Sequence, residues 1–163
     1  MSGHISRHDV RTAWVRGDQD FLAGHYSRAH TLTFDGGAVV AGSSSPSVVP
    51  LPWSDPSAVD PEELLVASLS SCHMLWFLDY ARHAGVDVLS YLDEASGEMG
   101  QDSQGRVVMK TVTLRPNIVT AAPTASAAAI DALHQKAHAA CFIANSVKSD
   151  VRIEPVYADA LHG

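Results

Sequence analysis

Leu64 to Leu78 carries no formal charge over 15 residues, and its side chains are apolar or small on nearly every side of a helix. The flanks set its ends. Asp60 offers a cap, Pro61 suits a first helical position, Glu63 can close a capping box, and Gly85 follows the last plausible turn. A helix is therefore predicted over about Pro61 to Ala84, and an apolar surface this broad implies a central, buried position. A membrane span is the rival reading. Fifteen uncharged residues fall short of the ~20 that a bilayer core requires, and three serines and His73 interrupt them.

One such helix fits comfortably inside a chain of 163 residues, the size of a single domain, so residues 1–163 are read as one unit. Hydrophobic residues at 46% and charged residues at 18% are those of a globular protein. A net charge of -7, with no run of Lys and Arg interleaved with aromatics, argues against nucleic acid as a partner. Met1 to Asp20 is dotted with Arg, Asp and His and has no continuous apolar core of a signal peptide, which leads to a cytoplasmic expectation. With two cysteines, a structural disulfide framework is not expected. Thiol chemistry and simple burial remain as the readings to weigh.

Around the helix the pattern is that of short strands. His25 to Phe34 reads as a strand with Tyr26, Arg28, His30, Leu32 and Phe34 on one face, and Asp35-Gly36-Gly37 turns it into a second strand, Ala38 to Ala41. Ser43 to Asp60 holds four prolines and several serines and reads as a long loop over the surface, with closure over a substrate as one use. Val86 to Met99 and Arg106 to Arg115 form a second hairpin about the turn-rich Gly100 to Gly105. Thr124 caps an alanine-rich helix whose Ile130, Leu133, Ala137 and Cys141 share a stripe, and Val151 to Glu154 closes the chain as a strand. Strands at both ends and in the middle, with two helices between, indicate an α+β domain. No glycine-rich phosphate loop follows a strand, so a nucleotide cofactor has no seat.

Cys72 sits midway along the apolar helix. On its own it reads first as a packed residue, because free cysteine behaves as a small hydrophobe. A reactive thiol works as the thiolate, and Cys72 is too far from the helix N-terminus for the dipole to help, so a cation has to come to it. Arg28, turned inward with Leu32 and Phe34, is the candidate; its alternative is to snorkel to water at the end of its strand. Glu62 precedes Cys72 by ten residues, ~15 Å along a straight helix. The two meet only if the helix breaks or a second subunit supplies the carboxylate, and a first-turn glutamate also serves simply to stabilise the terminus. His134, His138 and Cys141 fall on one helical face, a zinc-like set that lacks a fourth ligand; the alternative is two partly exposed histidines.

Asp60 to His73, DPEELLVASLSSCH, resembles the central-helix motif of the OsmC/Ohr family, where Asn-Pro-Glu precedes a cysteine at this spacing. His134 to Val147, HQKAHAACFIANSV, is similar to the family's second-cysteine segment, and the element order fits from about Asp20 to Pro155. The resemblance implies antiparallel sheets wrapped around long central helices in an intertwined homodimer, and a cysteine-based peroxidase acting on organic hydroperoxides. It makes Cys72 the peroxidatic thiol, Cys141 the resolving thiol, and Glu62 the partner of a catalytic arginine best matched by Arg28, with Arg16 second. The implied cycle needs an external dithiol reductant and no metal or organic cofactor, while charge and helix length argue against nucleic acid and membrane as partners. Asp60 in place of Asn, His73 after the cysteine and the proline-rich loop mark a subgroup. A non-enzymatic member binding a small hydrophobic ligand is the alternative, since a fold does not dictate an activity.

Overall fold

The structure, a computed structural model, describes residues 6–122 and 124–157. Contacts divide the chain into two compact units, Met1–Leu64 and Leu65–Gly163.

The first unit is built on an antiparallel sheet of β1 (Val10–Ala13), β2 (His30–Phe34) and β3 (Val39–Gly42), in that order. Gly37, at φ +88°, makes the turn between β2 and β3. The strand expected from His25 begins only at His30. Residues before it send their backbone groups elsewhere: Arg28 N–H donates to the Trp53 carbonyl at 2.9 Å and Ala29 N–H to Ser27 Oγ at 3.1 Å. Strand β1 is exposed on both faces and so carries no alternation that a sequence reading could catch. The proline-rich segment from Ser43 forms neither helix nor strand, as expected, and is tied at its ends by Ser43 N–H to Val59 O (3.1 Å) and Val59 N–H to Ala41 O (3.0 Å).

Helix α1 runs unbroken over Pro61–His83. Its start is a complete capping box. Glu63 N–H donates to Asp60 Oδ1 at 2.7 Å, and Asp60 N–H donates to Glu63 Oε2 at 3.0 Å. Its end is a Schellman turn, with Gly85 at φ +73°, Gly85 N–H donating to Arg82 O and Val86 N–H to Ala81 O. Leu69, His73, Phe77 and Ala81, at four-residue spacing, form its buried stripe, while Leu75 remains 60% exposed. The chain thus buries one face of a helix whose composition suits burial on all sides. By length and composition α1 is also long and apolar enough to cross a membrane, but its buried stripe packs into the protein's own core.

In the second unit the stretch from Val86 to Met99, read as one arm of a hairpin, is divided between two sheets. Strand β4 (Val88–Asp93) pairs antiparallel with β7 (Pro116–Thr120), and β5 (Ser96–Gln101) pairs antiparallel with β6 (Val107–Leu114). Arg115 is the joint between β6 and β7, and its amide donates to Asp93 Oδ1 at 2.6 Å. Strand β8 (Asp150–Ile153) lies parallel to β6 on its other side. Gly97 on β5 is a close approach: a Cβ there would meet Met109 Sδ at 2.6 Å and Val66 Cγ2 at 2.7 Å. Helix α2 (Ala127–Ala140) is capped by Ser126, which accepts Ala129 N–H, rather than by Thr124.

The core of this unit has two parts that share α1. Leu69 joins Val112 and Leu114 of β6, while Phe77 and Ala81 join Ile130, Leu133 and Ala137 of α2. Each fully buried large side chain contributes about 1.5–3 kcal/mol, so these contacts fix α1 between sheet and helix.

Candidate functional site

The seam between α1 and α2 holds most of the chemistry-bearing side chains of the second unit. Cys72 is half-buried on α1, and Cys141 caps the C-terminus of α2 at 1% exposure; both are free thiols. The two thiols are neighbours, close enough for Cys72 to act on the titration of Cys141. Cys141 is placed by its turn, since its carbonyl accepts Asn145 N–H at 3.0 Å and its Sγ accepts Ala144 N–H at 3.4 Å. Burial pushes the Cys141 thiol above its ordinary value, and the neighbouring Cys72 adds to the rise against the partial opposition of the Ala144 and Ile143 amides. Cys141 is therefore held as a thiol at neutral pH.

One step along the seam lies a second pair. His73 Nε2 and His134 Nδ1 are 2.9 Å apart, with one ring N–H donating to the other ring's lone pair, and the rings are 1% and 2% exposed. Phe77 stacks on His134 at 4.3 Å between centroids. Burial, then the neighbouring His134 and His138, push His73 down to about 4; burial pushes His134 down to about 4 as well, with Asp131 pulling the other way. Both imidazoles are neutral at pH 7. The sequence reading of His134 and His138 as partly exposed holds for His138, which is half-buried, and fails for His134. The signal for His73 was available in the four-residue stripe it shares with Leu69 and Phe77. Among the described residues, no group of three or more His, Cys, Asp and Glu side chains is placed to hold a metal ion.

Asp93 anchors α1 just before Cys72. Its Oδ2 accepts the Ser70 hydroxyl at 2.5 Å, while Oδ1 takes the amide of Arg115. Toward the aromatic end, Trp76 meets Phe142 edge-on at 5.3 Å.

Arg28 and Glu62 belong to the first unit. Arg28 precedes β2 rather than lying in it, and its guanidinium folds back to donate to the carbonyls of Gly24 and Tyr26, with the Tyr26 ring 3.7 Å away. Glu62 occupies the first turn of α1. Among the described residues neither forms an ion pair, so a single chain does not join them. Because α1 is continuous from Pro61 to His83, the broken-helix route from Glu62 to Cys72 is closed.

The family model for OsmC-like proteins matches residues 54–156, which spans both cysteine segments. Among solved structures, an OsmC-like protein of unknown function from Vibrio cholerae is 44% identical, with a TM-score of 0.91 over 93% of this chain and 100% of that one. More distant are an organic hydroperoxide resistance protein from Elizabethkingia anophelis (17% identity, TM-score 0.69, 94% and 96% covered) and the organic hydroperoxide resistance protein OhrB of Bacillus subtilis (18%, 0.68, 93% and 98%). At such identities these two share the fold. No curated protein matches. With two cysteines facing each other from α1 and α2 and a family model matching across both, the chain belongs to the OsmC-like family.

Proposed function

We propose that the protein is a cysteine-based peroxidase that reduces organic hydroperoxides. The observation that supports this most directly is the meeting of Cys72 and Cys141, one on each helix of the seam. In the first step the Cys72 thiolate attacks the peroxide O–O bond, forming a sulfenic acid and an alkoxide that leaves as the alcohol after protonation. In the second, the Cys141 sulfur attacks the Cys72 sulfur, hydroxide leaves as water, and a disulfide closes. An external dithiol returns both thiols. No metal or organic cofactor takes part.

Arg28 is the proposed stabiliser of the thiolate and of the developing alkoxide, with Glu62 pairing bidentately to its guanidinium. With α1 unbroken, we propose that Glu62 reaches the thiol site of a second copy of the chain in a homodimer. The half-exposed faces of α1, including Leu75, support such an assembly. The setting we infer is oxidative or osmotic stress defence in the cytoplasm.

Free thiols counted before and after one equivalent of cumene hydroperoxide test the reading. Rapid loss of both thiols, abolished in Cys72→Ser, is the expected result; full peroxide consumption by Cys72→Ser would sink it. Unchanged thiols would favour the non-enzymatic binder, for which an open groove of about 590 Å³ with Leu65, Val108, Met109 and Val147 in its walls is the place to look.

A further inference from the structure

Lysine is scarce in this chain: Lys110, Lys136 and Lys148 are its three, against 18 acidic residues. Two of the three, Lys110 and Lys148, line one groove. Its volume is about 590 Å³, within the range of small-molecule sites, and Leu65, Val108, Met109 and Val147 form its apolar wall. Among the described residues neither lysine forms an ion pair. The carboxylates near them in the chain are engaged elsewhere. Asp102, also in the groove, holds Arg106 at 2.7 Å, and Asp150, which follows shortly after Lys148, holds Arg152 at 2.8 Å. In a protein of net charge -7, this groove thus sets unpaired positive charge beside an apolar surface.

Local structure places both lysines. Lys110 follows Val108 by two residues on β6, so their side chains leave the same face of the strand. Gly100 pairs with Val108 across the β5–β6 ladder, and a Cβ there would meet Lys110 Cδ at 3.0 Å. The absent side chain leaves the room in which the Lys110 stem lies. Lys148 comes from the segment that leads into β8, and the Ser149 hydroxyl ties that segment to β6 by donating to the Met109 carbonyl at 2.7 Å. The same bond narrows the choice of occupant. Strand β8 pairs with β6 over Thr111–Leu114, short of the groove, but the Met109 carbonyl that an added peptide strand would use is already taken. A flexible chain with one anionic end needs no such ladder.

We propose that the groove binds an aliphatic carboxylate, with its chain on the apolar wall and its anionic end at Lys110 and Lys148. The lysines orient the ligand as point charges on long stems, while Arg106 stays paired with Asp102. Neither cysteine is among the lining residues, so the site stands apart from the peroxidase reading and does not depend on it.

Sodium octanoate is the probe, titrated into the full-length protein carrying isotope-labelled lysine and followed by NMR. Three lysine signals result, and Lys136, exposed on α2, is the internal control. Octanoate should shift the Lys110 and Lys148 signals to saturation and leave Lys136 in place. Acetate, which lacks the chain, and octan-1-ol, which lacks the charge, should each bind about tenfold more weakly. Lys110→Gln and Lys148→Gln should each weaken octanoate by about threefold and together by about tenfold, with unfolding midpoints near the parent's. Octan-1-ol binding as well as octanoate, equal shifts at all three lysines, or parent-like affinity in the double variant overturns the carboxylate site. A parent that binds no octanoate overturns it too, and altered sedimentation of the double variant would then make the groove a contact between copies of the chain. Should the variants not fold, the three signals of the parent decide alone.

Discussion

Cys141 lies buried at the end of α2, beside Cys72 of α1, with its sulfur accepting the Ala144 amide at 3.4 Å. The pair differs in access, and access governs how a thiol meets a reagent. In the native protein at pH 8, iodoacetamide should label Cys72 at least about tenfold faster than Cys141, because Cys141 is both buried and raised above its ordinary value. In denaturant the rates should converge. Peptide mass spectrometry after timed quenching reads both, and equal native rates would contradict the placement of Cys141.

Stability should fall with acid earlier than carboxylate titration alone would produce. His73 and His134 are pushed down to about 4 in the folded protein from 6.5, so below 6.5 the unfolded chain takes up protons that the native state refuses. Their contribution is complete above 6.5 and is lost as pH drops toward 4. Urea unfolding at pH 7.5 and pH 5.0 should differ by roughly 2–4 kcal/mol in the parent. Most of that difference should vanish in a His73→Phe, His134→Leu double variant; an unchanged difference would place the effect elsewhere.

Tyr91 packs its ring on Phe77 at 5.7 Å, yet its hydroxyl is buried with no partner, and burial together with Asp93 raises it. Tyr91→Phe keeps the ring and removes the unpaired group. Its unfolding free energy should match the parent's or exceed it by up to about 1 kcal/mol. Phe77→Ala, by contrast, should lose about 3–5 kcal/mol from a fully buried site. A destabilised Tyr91→Phe would mean that the hydroxyl is bonded in solution.

The reciprocal bonds of Asp60 and Glu63 at the start of α1 predict a graded response. Asp60→Ala should cost about 1 kcal/mol in urea melts, while Asp60→Asn should lose little, since both side chains accept the Glu63 amide. Equal losses in the two variants would assign the effect to charge at the helix terminus instead.

Local signals read true where they specify local structure. Pro61, Asp60, Glu63 and Gly85 placed both ends of α1 within a residue, and Asp35 to Gly37 placed the turn after β2. Strand pairing was harder. Nothing in Val88 to Gln101 announces that its halves belong to different ladders, because the division comes from Asp93 receiving the Arg115 amide and Ser70 hydroxyl from distant parts of the chain. Arg28 shows the same limit: two-residue alternation set it on an inward strand face, but Trp53, from the proline-rich loop, took its amide, and the strand starts two residues later.

By itself the sequence determined that Cys72 lies mid-helix, that Cys141 faces inward, and that the family is OsmC-like, since helix caps, periodicity and paired motifs are written along the chain. Tertiary structure decided which side chains meet. Apposition of α1 and α2 brings Cys72 to Cys141 and buries His73 against His134, a contact between residues far apart in the chain that no local spacing encodes. The physical reason is that burial and hydrogen bonding across the seam, rather than helix propensity, set the protonation of these groups.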